Sequence, residues 1–203
     1  LTSGGTCNIA AGLNALGAGT TGDDNIALGR LALGAGVTTG NDNIAIGATA
    51  GDALTSGSNN IAIGDTALSA ATTSGSNIAI GANALAVSED DGENNVAIGN
   101  TAMGGGDVSG DSNVAIGHAT ADALTTGYEN IAMGKNALGA ATIGFLNIAI
   151  GRCAMGTVTT GQADENIAIG GCALAGAAGT TGDKNIAIGI NAAKSITTGA
   201  CNI

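Results

Sequence analysis

Proline and tryptophan are missing altogether, and Tyr128 and Phe145 are the only aromatic residues among 203. A globule of this length normally fills its centre with large side chains at close packing density. Here the apolar content is mostly Ala, Ile and Leu, so any core must be thin. Fixed cations are nearly as scarce: Arg30, Lys135, Arg152, Lys184 and Lys194 stand against 16 carboxylates, for a formal charge of −11. That balance excludes the basic stripe that nucleic acid requires and disfavours anionic membrane surfaces. No run of 18 apolar residues occurs, so no membrane insertion is expected. A single histidine, His118, cannot build a Ser-His-Asp or Cys-His constellation, and it reads as a surface residue. No catalytic residue is assigned, and the chain reads as a non-enzyme. The four cysteines show no Cys-x-x-Cys spacing, so neither a metal nor any other cofactor is expected.

What the chain has in abundance is glycine, 37 residues of it, and a repeat. The anchor is Asn-Ile-Ala-Ile-Gly or a close variant, and its asparagines recur every 17 to 19 residues from Asn8 to Asn202. Nothing lies outside the pattern, so residues 1–203 read as one repeat domain. Segments such as Asn43-Ile44-Ala45-Ile46-Gly47 alternate with period two, which is strand geometry. The Ala-Leu pairs that follow, such as Ala67-Leu68, read as a second short strand. A Thr-Thr-Gly turn closes the repeat, and the two glycines mark two corners. The expected fold is all-β: a parallel β-solenoid, or β-roll, of about eleven coils of 17–19 residues. Helix is excluded because no 10-residue stretch keeps a 3.6 period between the glycines.

Stacking such coils aligns identical residues in ladders. Asn25, Asn43, Asn60, Asn77, Asn95, Asn113, Asn130 and Asn147 are expected to point inward, each amide bonding to the coils above and below. Successive side chains face opposite sides, so Ile44 and Ile46, Ile61 and Ile63, Ile78 and Ile80 then face outward. A strand apolar on both faces is usually buried on both. The isoleucine rows are therefore expected to be an interface between copies of the chain. The alternative is that isoleucine fills the coil and Ala-Gly forms a flat surface.

The anchor Asn-(Ile/Val)-Ala-(Ile/Leu/Met)-Gly, followed by Ala-Leu and Thr-Thr-Gly, resembles the head repeats of YadA-type trimeric autotransporter adhesins. It resembles still more the longer repeats of phage tail-fibre proteins. The resemblance implies a left-handed β-roll in a homotrimer, placed outside the cell, on its surface or on a virion. A cell-surface receptor or glycan is then the implied external partner.

Cys153 and Cys172 share one slot in adjacent coils, where a disulfide or two buried thiols both fit. Cys7 and Cys201 share another slot at opposite ends, too far apart to pair within one chain; meeting between head-to-tail subunits and remaining free are the two readings. The chain begins and stops within the repeat, so it reads as a fragment or a unit of a longer fibre, or as a copy that stacks end to end. Gly-Ala-Gly-Thr-Thr-Gly at 17–22 matches a dinucleotide fingerprint by accident, without a βαβ unit around it. Acidic turns such as Glu89 to Glu93 read as solvated loops. Tyr128 and Phe145 read as an inter-coil packing pair, or as a binding patch. The leading functional expectation is a rigid structural or adhesive fibre module. The second is an ice-binding solenoid, motivated by the column Thr20, Thr38, Thr55, Thr73, Thr125, Thr142, Thr159, Thr180 and Thr197. A carbohydrate-cleaving solenoid enzyme comes third.

Overall fold

The computed structural model describes residues 4–17, 20–34, 37–89, 92–157, 163–176, 182–196 and 198–203. Eleven strands of three residues each, from β1 (Ile9–Ala11) to β11 (Ile186–Ile188), stack in sequence order as one parallel sheet. No helix occurs among the described residues. Register is constant, the middle alanines stacked on one another and the flanking apolar residues likewise, as in Ala62↔Ala79 and Ile61↔Ile78, with Leu28, Met133 and, on the first rung, Ala11 standing in for isoleucine. At roughly 4.8 Å per rung the stack is on the order of 50 Å long.

The expected second strand is absent among the described residues. Ala-Leu pairs such as Ala67-Leu68 and Ala84-Leu85 lie in turns instead. The reason is local: Leu16, Leu33, Leu68, Leu85, Leu138 and Leu174 all have φ between 47 and 52. The residue two positions earlier is also left-handed, as at Asn83 (φ 58), and so is the residue before each anchor asparagine, as at Asn94 (φ 58). Left-handed backbone costs a non-glycine residue roughly 1–2 kcal/mol. Leu68 and Leu85 are 0% and 1% exposed, and burying a leucine returns about 1.5–3 kcal/mol. Burial thus wins over local preference. The turn also propagates coil to coil, because Leu68 N–H donates to Ala84 O and Leu85 N–H to Ala102 O, at 2.9 and 3.1 Å.

The two glycine slots differ from expectation in kind. Only the anchor glycine is a left-handed corner; Gly81, for example, has φ 133. The turn glycine is needed for space: a Cβ on Gly40 would lie 1.9 Å from Gly57 O. The core between strand and turn is thin, as composition required. Strand alanines (Ala27, Ala62, Ala97) meet turn residues (Leu33, Leu68, Met103), all at most 1% exposed. Where Gly51 takes the leucine slot, Leu54 fills the space, its side chain 3.1 Å from the position a Cβ on Gly51 would occupy.

Candidate functional site

All eight asparagines expected inside are buried, at 0–2% exposure. Asn43 shows the rule. Its N–H and Nδ2 donate to Asn25 Oδ1 at 2.9 and 3.1 Å, and Nδ2 donates again to Gly57 O at 2.8 Å. Its own Oδ1 accepts from the N–H and Nδ2 of Asn60, at 3.0 and 3.1 Å. One amide per coil therefore closes a continuous polar spine beside an alanine core: the Oδ1 accepts from the next anchor N–H and the Nδ2 donates to a turn carbonyl, as again at Asn77 and Asn95.

A second ladder runs two residues ahead of the asparagines, where the acidic turns read from sequence as solvated loops. Thr6 N–H donates to Asp23 Oδ1 (2.6 Å), Asp23 N–H to Asn41 Oδ1 (2.8 Å) and Asn41 N–H to Ser58 Oγ (3.0 Å). Glu93 N–H reaches Asp111 Oδ1 and Asp164 N–H reaches Asp183 Oδ1, at 2.8 and 3.0 Å. The signal for it is a short oxygen-bearing side chain directly after the turn glycine. The two hydrogen bonds from Thr6 hold the Asp23 carboxyl below the ordinary aspartate range. Burial pushes Asp164 the other way, against the bond from Phe145 N–H, and the nearby Asp183 and Glu165 charges add to the rise. Tyr128 and Phe145 occupy this slot in neighbouring coils and stack on each other, centroids 5.0 Å apart and planes 2° from parallel. They are a packing pair, and Tyr128 remains 42% exposed.

The isoleucines face out. Ile46 is 37% exposed, and Ile44, Ile61, Ile63, Ile78 and Ile80 are half-buried, while the alanines between them are at most 1% exposed. The alternative, with isoleucine filling the coil, is overturned: alanine and asparagine share that side of the strand. The outward pairs run up eleven rungs, from Ile9 and Ala11 to Ile186 and Ile188. A strip about 50 Å long and 10 Å wide outlines roughly 500 Å², towards the upper end of the largest apolar patches on soluble monomers, which often mark an interaction face.

The threonine column is shifted by one from the sequence reading. Thr55 N–H bonds to Thr72 O, which puts Thr72, not Thr73, in that column. Thr20 and Thr38 are buried, and the hydroxyls of Thr38, Thr55 and Thr125 donate to carbonyls of the next coil at 2.8–3.3 Å. The outward column is the next one, with Thr21, Thr39, Ser56, Ser109 and Thr126 exposed and Ile143 among them. Thr159, Thr180, Thr181, Thr197, Asp90, Asp91 and the Ala18-Gly19 step of the 17–22 match lie outside the described residues.

All four cysteines are free thiols. Cys153 and Cys172 are half-buried at φ 57 and 56, on successive rungs, with N–H groups donating to Lys135 O and Arg152 O. Cys7 and Cys201 are exposed at opposite ends of the stack, at φ 58 and 59. His118 is exposed. Among the described residues no three His, Cys, Asp or Glu side chains gather to hold a metal ion, and no helix is long and apolar enough to cross a membrane. Comparison with protein-family models, with curated proteins and with solved structures found no match to the chain.

Proposed function

We propose that the chain is a structural or adhesive fibre module: a rigid rod whose copies pack side by side along the isoleucine face, on a cell surface or virion. The carrying observation is that face itself, eleven rungs whose outward residues are Ile, Val, Leu or Met everywhere but at Ala11, all of them half-buried or exposed. Covering it with a second copy removes the exposed apolar strip, and burial of that kind is worth about 25 cal/mol per Å² before association costs. The rest of the coil suits a load-bearing part. Its polar side chains are spent on coil-to-coil hydrogen bonds, which stiffen the axis and leave few groups for chemistry. A trimer is the stoichiometry that the resemblance to adhesin and tail-fibre repeats favours, and a receptor or glycan is the external partner it suggests.

Native mass spectrometry joined to small-angle scattering tests this reading. The expected particle is two or three chains thick with the length of one rod. A monodisperse monomer at micromolar concentration would refute it. The ice-binding reading draws less support from the geometry, because the hydroxyls of its threonine column are turned into the coil. Thermal hysteresis in solution would revive it.

A further inference from the structure

The two edges of the isoleucine face carry opposite charge character. The leading edge is formed by the two residues before each anchor asparagine, and it holds nine of the 16 carboxylates. Asp24, Glu93, Asp111, Glu129 and Glu165 are exposed there, and Lys184 is the one fixed cation on that edge. The trailing edge is the residue after each anchor glycine. It holds Arg30, Lys135 and Arg152, three of the chain's five fixed cations, together with His118. All four are exposed. Its one carboxylate is Asp65. That residue falls in the coil whose leading edge is Ser58 and Asn59, without charge. Hydrogen bonds establish that the trailing residues stack on successive rungs: Asn136 N–H donates to His118 O, and Cys153 N–H to Lys135 O.

Symmetry turns this sidedness into an orientation. Copies related by rotation about an axis along the rod, whether two or three, meet with the leading edge of one against the trailing edge of the next. Equal coils then lie at equal height. Arg30 falls opposite Asp23 and Asp24, and Lys135 opposite Glu129. Arg152 falls opposite Phe145, a cation over an aromatic ring. Rotation about an axis along the strands instead makes the rods antiparallel and sets leading edge on leading edge, carboxylate against carboxylate. Like charges placed together across an interface cost several kcal/mol.

We infer that the isoleucine face takes a second copy of this chain with the rods parallel and in register, the Arg30–Lys135–Arg152 edge of one copy lying on the acidic edge of its neighbour. This rests on the side-by-side association proposed above.

Zero-length carbodiimide cross-linking of the intact assembly tests it. The covalent dimer band is isolated under denaturing conditions and its linked peptides are mapped. Lys135 joined to Glu129 is the expected link, and it reports contact between copies, because within one chain the two residues flank the strand Ile131–Met133 at its opposite ends, which holds their side chains on the order of 15 Å or more apart. Lys184 joined to Asp23 or Asp24 is the signature of antiparallel rods and would overturn the inference. An oligomer with no Lys135 link to a leading-edge carboxylate would overturn it equally. The absence of any oligomer before cross-linking would instead defeat the association reading beneath it. As a second arm, Lys135→Glu with Arg152→Glu should weaken self-association about tenfold or more in low salt and leave the circular dichroism spectrum unchanged. An unchanged association constant would count against the pairing.

Discussion

At Asn113 the side-chain amide donates to Asn95 Oδ1 and Gly127 O and accepts twice from Asn130. Asn113→Leu would leave the Asn130 N–H and the Gly127 carbonyl without partners inside the coil, and would strip Asn130 Nδ2 of one of its two bonds, the other being to Gly144 O. Each buried orphan costs about 1–3 kcal/mol, so a loss of roughly 3–5 kcal/mol is expected in urea unfolding. The damage should also be local: hydrogen exchange should quicken at the Val114 and Asn130 amides well before those of distant coils, since a solenoid couples only nearest neighbours. The aspartates of the second ladder make a pH-dependent pair of opposite sign. Asp164 titrates above the ordinary value of 3.8 because its carboxyl is buried. Its ionised form therefore weakens the fold at neutral pH, and the fold gains stability as pH falls through the raised value towards 3.8. Asp164→Asn can still accept from Phe145 N–H. The variant should be more stable than the parent at neutral pH, and the difference should shrink in acid. Asp23 titrates low, so what it contributes is complete above the ordinary value and fades as pH falls through its lowered one. Thermal unfolding followed from pH 7 to pH 3 separates the two, and a gap that widened in acid for Asp164→Asn would contradict the assignment.

The unit of this fold is the coil, and its unusual part is the turn with two left-handed residues. Thr101 occupies the first of these positions at φ 53, a conformation that a β-branched side chain tolerates poorly. The chain itself places Asn14, Asn83, Asn136 and Asn191 at the same slot, and asparagine is the non-glycine residue best suited to it. Thr101→Asn should raise stability by about 0.5–1 kcal/mol, read as a higher urea midpoint with an unchanged slope. The turn also marks where the sequence was readable and where it was not. The 17–19-residue period, the inward asparagines and the strand at Ile-Ala-Ile were all legible, because each follows from period two and from stacking like on like. The Ala-Leu turn was not, because local preference assigns leucine to extended or helical backbone, and only burial on the coil axis overrides it. The Asp23–Asn41–Ser58 ladder was missed because short acids after a turn glycine read equally well as solvated loops. The threonine column slipped by one at Ser74, which stands where most other turns have glycine, its carbonyl accepting from Asn60 Nδ2. Gly75 mimics the turn glycine one position late, so that Thr73 falls by sequence in the row that Thr72 occupies.

At the scale of the whole molecule, the two sides of each strand do separate work. The alanine side meets Leu68 and Leu85 and holds the coil shut; the isoleucine side stays open within the chain. Changes on the two sides should therefore have separable effects. Ile63 and Ile80 lie on adjacent rungs near the middle of the sheet, paired in register, and are half-buried. Replacing both with lysine puts two like charges about 4.8 Å apart in the centre of the proposed interface. The long aliphatic stems can still lie along the sheet, with their charged ends in water. The double variant should keep its coil, with circular dichroism and hydrogen-exchange protection of the asparagine spine close to the parent's, and should sediment as a monomer. Leu85→Ala should do the reverse. It opens a cavity in the thin core and costs about 2–5 kcal/mol, yet it leaves the isoleucine face intact, so the folded fraction should keep the parent's stoichiometry. Sedimentation velocity beside urea unfolding reads both effects on the same samples. If lysines at 63 and 80 unfolded the coil outright, the isoleucine face would be part of the core and not an interface. If they left the assembly intact, the copies would meet on some other surface, and the charged edges of this face would have no partner to address.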